Sequence, residues 1–233
     1  LFRSVSLKSL IFNEFLIDDL QISTKFIKLS DLILLARSFK NSTQLFLLDK
    51  AIKEGSLAAD IRLNFDDAGK MLNDYQINGF IKNAKLNFLN RFNVNNLNLE
   101  FDIQKKKYSL INIKSDINGI KLSSPLVKIN QKKDMFLITG KTLTNKKDFD
   151  KTQLKNIFAG FLKNKSIEKI RLSSENIFSF NVSKKLKVNN LNIVSKIDLN
   201  ELVVKNNYLE LKSYIPDLSE TINFENHKII INY

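Results

Sequence analysis

One histidine, His227, and no cysteine are what this sequence offers of the side chains that most often carry proton-transfer, nucleophilic or metal chemistry. A single histidine cannot form a multi-histidine metal site or a histidine-based triad, and a lone His in a strand-like stretch reads as a surface residue. Without thiols, disulfides, zinc–thiolate sites and cysteine nucleophiles are excluded together. Two pairs of adjacent carboxylates remain, Asp18-Asp19 and Asp66-Asp67. Paired acid–base work needs both groups on one side of a substrate, yet neighbours on a strand point to opposite faces. The second pair also runs into Ala68-Gly69, which reads as a turn. The six glycines are scattered and form no phosphate-cradling loop. Asn41-Ser42-Thr43, Asn164-Lys165-Ser166 and Asn181-Val182-Ser183 match the glycosylation pattern, as an asparagine-rich chain will by chance. The expectation is a non-enzyme with no cofactor and no metal.

The remaining charge is abundant, with a net +13. That invites a nucleic-acid reading. Only five of the 37 basic residues are arginine (Arg3, Arg37, Arg62, Arg91, Arg171), whereas bidentate reading of phosphate or guanine favours Arg. The lysines are spread between apolar positions rather than gathered in one stripe. A Lys-, Asn- and Ile-rich composition is also what an AT-rich genome encodes. No nucleic-acid partner is expected, and a basic nucleic-acid-binding module stays as an alternative. Such a surface would still attract anionic lipid headgroups.

The elements that would position any site are mostly strands. Hydrophobic residues make up 43%, with 18 Phe and no Trp, enough for a sizeable core in 233 residues. Two helices are predicted first. Ser30-Asp31 caps one over about 30–40 (Leu32, Leu35, Ala36, Phe39), and Thr43 caps another over about 43–54, stopped by Gly55. Leu32–Leu35 and Leu45–Leu48 are too short to span a membrane and are expected to pack on a sheet end, with membrane-surface or partner docking as the alternative. From Ser56 the period becomes two: Leu57, Ala59, Ile61, Leu63 and Phe65 alternate with polar neighbours. Further strands are predicted at Tyr75–Phe88, Leu97–Ile103, Tyr108–Ile117, Ile120–Leu122, Leu126–Ile129 and Met135–Thr139. A third helix over about 150–163 starts at Asp150. Strands then resume at Ile167–Leu172, Ile177–Val182, Leu186–Leu199, Glu201–Val204, Tyr208–Leu211 and Ile222–Ile231. The division expected is a strand plus two helices over 1–55 and a repetitive β segment with one inserted helix over 56–233. Leu1 opens without methionine and Tyr233 closes in mid-pattern, so a segment of a longer protein is expected.

Val94-Asn95-Asn96-Leu97-Asn98-Leu99 recurs as Val188-Asn189-Asn190-Leu191-Asn192-Ile193, each opening an alternating strand. One face of the strands is persistently aliphatic and aromatic. In a sandwich it would fill a closed core, whereas in a long open sheet it would form a trough suited to acyl chains. The pattern leaves both open.

Three runs carry a family resemblance: Ile52-Lys53-Glu54-Gly55-Ser56-Leu57-Ala58-Ala59-Asp60-Ile61, Phe65-Asp66-Asp67-Ala68-Gly69-Lys70, and Tyr75-Gln76-Ile77-Asn78-Gly79-Phe80-Ile81-Lys82-Asn83-Ala84-Lys85-Leu86. Together the sequence resembles the AsmA-like family, which includes the YhdP and TamB relatives of Gram-negative bacteria. The resemblance implies a mostly β fold: an elongated, twisted antiparallel sheet forming an open apolar groove, with a few short helices. It implies a periplasmic protein tethered to the inner membrane by an N-terminal anchor, which is expected to lie outside this segment. Its implied role is to bind phospholipid or other acyl-chain lipids, transfer them between inner and outer membranes in outer-membrane biogenesis, and work with unidentified envelope partners. The groove candidates are Ile77, Ile81, Leu97, Leu99, Phe101 and Ile103, with Leu191 and Ile193 at the second copy of the echo. The alternative is a structural or adhesive envelope β protein with a closed core and no ligand.

Overall fold

The structure, a computed structural model, describes residues 2–8, 16–39, 42–72, 74–88, 92–150, 167–205 and 221–232. Its strands are β1 (Phe2–Lys8), β2 (Leu16–Ser23), β3 (Ile27–Lys28), β4 (Ile52–Asn64), β5 (Gln76–Phe88), β6 (Phe92–Gln104), β7 (Lys107–Ile117), β8 (Ile120–Gln131), β9 (Met135–Asp150), β10 (Ile167–Ser183), β11 (Val188–Lys205) and β12 (Thr221–Asn232). Two helices, α1 (Leu29–Phe39) and α2 (Thr43–Ala51), lie between β3 and β4. The strands form one sheet in the order β1-β2-β4-β5-β6-β7-β8-β9-β10-β11-β12, with β3 pairing β4. Every pairing is antiparallel. Among the described residues nothing joins β1 to β12, so the elongated, twisted sheet is not closed into a barrel.

The mostly β class follows from the period-two alternation, and the strands run longer than the sequence signals suggest. Ile120–Leu122 and Leu126–Ile129 are one strand, β8, with Pro125 inside it. The proline sits where β8 and β9 slip register, between Ser123 and Val127, so its missing N–H costs no ladder bond there. Met135–Thr139 continues to Asp150, the last residue of β9. The rest of the helix expected over 150–163 lies outside the described residues, as does the Tyr208–Leu211 strand. The stretches expected at Ile167–Leu172 and Ile177–Val182 fuse into β10, and those at Leu186–Leu199 and Glu201–Val204 into β11. Polar runs such as Ser173-Ser174-Glu175-Asn176 read as breaks in a single sequence. In the sheet Ser174, Glu175 and Asn176 are paired on both sides.

The helices need two corrections. Ser42, not Thr43, caps α2: its side chain accepts a hydrogen bond from Leu45 N. The helix ends at Ala51, and β4 begins at once at Ile52. Gly55 is therefore no helix stop. It lies in β4 at φ +125°, where an added Cβ would meet Ala84 Cα at 2.7 Å and Leu29 Cδ1 at 2.8 Å. Ser30 and Asp31 fall inside α1, with Asp31 in its first turn. Buried Leu29, Ile33 and Ala51 fix the helix pair to this end of the sheet. Leu34, Leu35, Phe46, Leu47 and Leu48 stay exposed. Arg37 pairs with Asp49 and stacks over the Phe46 ring, joining α1 to α2.

Asparagine has a backbone role. Asn83, Asn96, Asn112, Asn190 and Asn226 all sit inside strands at positive φ, between 50° and 57°. At Asn83, Asn96 and Asn112 the neighbouring ladders slip register. Asn is one of the few non-glycine residues that enters this region at low cost, so it supplies bulges that bend a strand and restore its alternation. The two echoed segments share this device: Asn96 has φ 51° and Asn190 φ 52°. Asn112→Val and Asn96→Val should each lose roughly 1–2 kcal/mol by urea denaturation, because a β-branched side chain is forced into the left-handed region. The corresponding glycine variants should stay within about 0.5 kcal/mol of the parent.

Candidate functional site

Residues directly opposite one another in an antiparallel ladder share a face. Following the register strand by strand gives one row across β2 and β4–β10: Ile22, Ile61, Ile77, Ile103, Tyr108, Ile129, Ile138, Phe180. Shifting by one residue gives Ser23, Asp60, Asn78, Asp102, Ser109, Lys128, Thr139, Ser179, Asn192 on the other face, and every member is polar. One residue further the first face returns as Ala59, Gly79, Phe101, Leu110, Val127, Gly140, Phe178, Ile193. The alternation of each strand is thus kept in phase along the sheet, and the other face, polar in this row, also carries Phe80, Ile111 and Leu126 around Glu100.

Six of the eight sequence candidates fall together. Ile77, Ile81, Leu97, Leu99, Phe101 and Ile103 form a cluster with Leu57, Ala59, Leu110 and Ile113. Leu99 and Phe101 are 9% and 8% exposed, so they are the cluster's packed centre rather than its accessible surface. Leu191 and Ile193 lie apart in β11. Ile193 ends the row that passes through Phe101, and Leu191 is 42% exposed. Sequence reading missed two glycines. An added Cβ on Gly79 would lie 2.7 Å from Phe101 Cζ, and one on Gly140 would lie 2.7 Å from Phe178 Cζ. Each phenyl ring packs over a cross-strand glycine. The readable signal was a glycine at an inward position of an alternating strand.

The apolar face is not uniform. Across β8–β11 it carries Ser124, Thr142, Thr144, Ser174, Asn176 and Ser195. Asn176 Nδ2 donates to Ser174 Oγ at 3.2 Å, while buried Ser124 Oγ has no partner among the described residues. Apolar character returns beyond this band, where Ile170 stands between Phe149 and Leu202. Tyr108 places a hydroxyl in the first row, within 3.4 Å of Gln131 Oε1. Burial, and then the neighbouring Tyr75, push its pKa up, so it stays neutral.

The opposite face holds the charge. Lys141 meets Glu175 at 2.9 Å, Lys169 meets Glu201 at 3.0 Å, and Arg171 bridges Asp148 and Glu201. Hydrogen bonds from Arg171 and Lys141 hold the carboxyls of Asp148 and Glu175 below the usual carboxylate range. Clefts of about 740 and 1030 Å³ open on this face. The larger is lined by Asp60, Asn78, Glu100 and Asp102 around Phe26 and Phe80, with Lys82 over both rings. His227 lies exposed in β12, 6.2 Å from the Phe224 ring. Among the described residues no group of three His, Cys, Asp or Glu could hold a metal, and no helix is long and apolar enough to cross a membrane. The arrangement offers surface and charge. Comparison of the chain with protein-family models, curated proteins and solved structures gives no match.

Two outcomes follow for stability. Phe101→Ala removes a buried ring and leaves a cavity over Gly79, so chemical denaturation should show a loss of roughly 3–5 kcal/mol, whereas Leu191→Ala should cost less than about 1 kcal/mol. The depressed Asp148 and Glu175 favour folding at neutral pH, and that contribution disappears as pH falls through their lowered pKa values. The double variant D148N/E175Q should therefore lose less stability than the parent between neutral pH and about pH 3, followed as Tm against pH.

Proposed function

We propose that the apolar face binds acyl chains and that the chain is a non-catalytic segment of an envelope protein serving phospholipid transfer between inner and outer membranes. The protein would be periplasmic and held at the inner membrane, as the AsmA-like resemblance implies. The observation that carries the reading is the pair of apolar rows, kept in phase over eight strands on one face of an open sheet. At about 4.8 Å per strand, those rows extend roughly 34 Å, and each methylene laid along them contributes about 0.8 kcal/mol. Such a surface needs no reacting group. A lipid moves along it by exchanging one apolar contact for the next.

The accessible part of the face lies toward β11 and β12. Leu191, Phe224, Ile229 and Ile231 are exposed there, and Ile229 and Ile231 stand opposite Ile197 and Ser195. Around β5 and β6 the same face is filled by its own side chains, as the burial of Ala59, Leu99 and Phe101 records. That burial favours a second reading, a structural envelope sheet with a self-filled core and no ligand.

Native mass spectrometry with lipid extraction, after expression in a Gram-negative host, separates the two. Phospholipid should accompany the parent protein. It should be lost from L191D/I231D with the circular dichroism spectrum unchanged, since both positions are exposed. A folded protein that arrives without lipid would leave the structural reading standing and the transfer reading withdrawn.

A further inference from the structure

Successive antiparallel hairpins place the turns β4–β5, β6–β7, β8–β9 and β10–β11 at one end of the sheet. Residues 65–72, 74–75, 104–107, 131–135 and 183–188 belong to these turns, and they hold nine lysines (Lys70, Lys105, Lys106, Lys107, Lys132, Lys133, Lys184, Lys185, Lys187) against four aspartates. The lysines are all exposed. The β7–β8 turn at the opposite end is Asn118-Gly119 instead. Among the described residues, lysines that are dispersed in the sequence are thus brought together at this edge by the topology.

This edge is built rather than merely exposed. Tyr75 Oη donates to Lys105 O at 2.8 Å, tying the first turn to the second. Gln131 N donates to Lys106 O at 2.8 Å, tying the second to the third. Lys184 reaches Asp134 through its backbone N–H at 3.4 Å and through Nζ at 3.1 Å, tying the third to the fourth. Internal bonds fix the individual turns, with Asp66 Oδ1 accepting from Ala68 N and Lys70 N, and Ser183 N donating to Lys187 O. With a turn at every second strand, lysines recur about every 10 Å along the edge.

The edge also borders the apolar face. Ile103 and Tyr108 flank the Lys105–Lys107 turn, and Ile138 and Phe180 of the same row follow and precede their turns within a strand rise of roughly 10 Å. Met71, Leu72, Met135, Leu186 and Val188 carry exposed apolar surface out among the lysines. The combination is that of an amphiphile laid across a boundary, with apolar tails on the rows and a phosphate at the turns. We infer that this four-turn lysine edge holds the phosphate groups of phospholipids whose acyl chains lie on the apolar face. The inference rests on the acyl-chain reading above. Lysine suits the task, since its ammonium is a rotatable point charge that attracts phosphate without the fixed fork of arginine. A headgroup can then pass from one turn to the next.

The test is calorimetric titration of the full chain with dihexanoylphosphatidylglycerol, dihexanoylglycerol and inorganic phosphate. The parent is compared with K106Q/K133Q/K185Q at the edge and with K114Q/K128Q/K196Q, which removes the same charge from the polar face. The edge variant should bind the phospholipid about tenfold more weakly and the neutral lipid unchanged, and the polar-face variant should match the parent for both. Inorganic phosphate should bind far more weakly than the phospholipid. Equal weakening by the two triple variants would assign the effect to overall charge and overturn the inference, as would an edge variant that binds like the parent or phosphate that binds as tightly as the phospholipid. If neither lipid binds the parent, the acyl-chain reading fails and takes this one with it. If the neutral lipid binds and the edge lysines make no difference, only the headgroup assignment is lost.

Discussion

The phase of the alternation, carried from strand to strand by register, is the constraint on which the structure depends. A slip of one residue in any ladder would move every later side chain to the wrong face. Each hairpin must therefore return the chain in step, and wherever a strand gains a residue, its neighbours must absorb it. Asn112 and Pro125 show this compensation. They stand at corresponding places in β7 and β8, where Ile111 still pairs Leu126 and Ile113 still pairs Ser124. One irregularity is matched by another, and the apolar rows pass on undisturbed.

The two faces settle their needs differently. On the apolar side, aromatic rings pack over glycines, Phe101 on Gly79 and Phe178 on Gly140, so bulky side chains find room inside a single layer. On the polar side, acidic residues are held by cations, as Glu201 is by Lys169 and Arg171. Such exposed pairs add little stability singly and mainly keep that face solvated.

Much of this was legible in the sequence because alternation is a local signal. The β class, most strand positions and the cluster of Ile77, Ile81, Leu97, Leu99, Phe101 and Ile103 follow from period two alone. What escaped is non-local. Strands that cross polar runs look broken until both neighbours supply hydrogen bonds, as around Ser174 and Asn176. Gly55 reads as a helix stop, and its actual constraint is the approach of Ala84 and Leu29 from other elements. The abundance of asparagine reads as a compositional bias, while six of those residues hold backbone conformations that few alternatives adopt as cheaply. Nor could a linear reading show that lysines from four separate turns end on one edge.

Along the main path from β4 to β12, each strand pairs only with its neighbours in sequence. The sheet is then quasi-one-dimensional in its energetics, like a solenoid, with stability built from hairpin units and the interfaces between them. Contacts of this kind close short loops, so folding can nucleate at any well-packed hairpin and spread outward. The β5–β6 pair, with its buried cluster, is the natural seed. From there the protein zips toward β12, the most exposed strand, and it would fray back from that end first. An architecture of this type can be lengthened or shortened by whole hairpins without redesigning the rest.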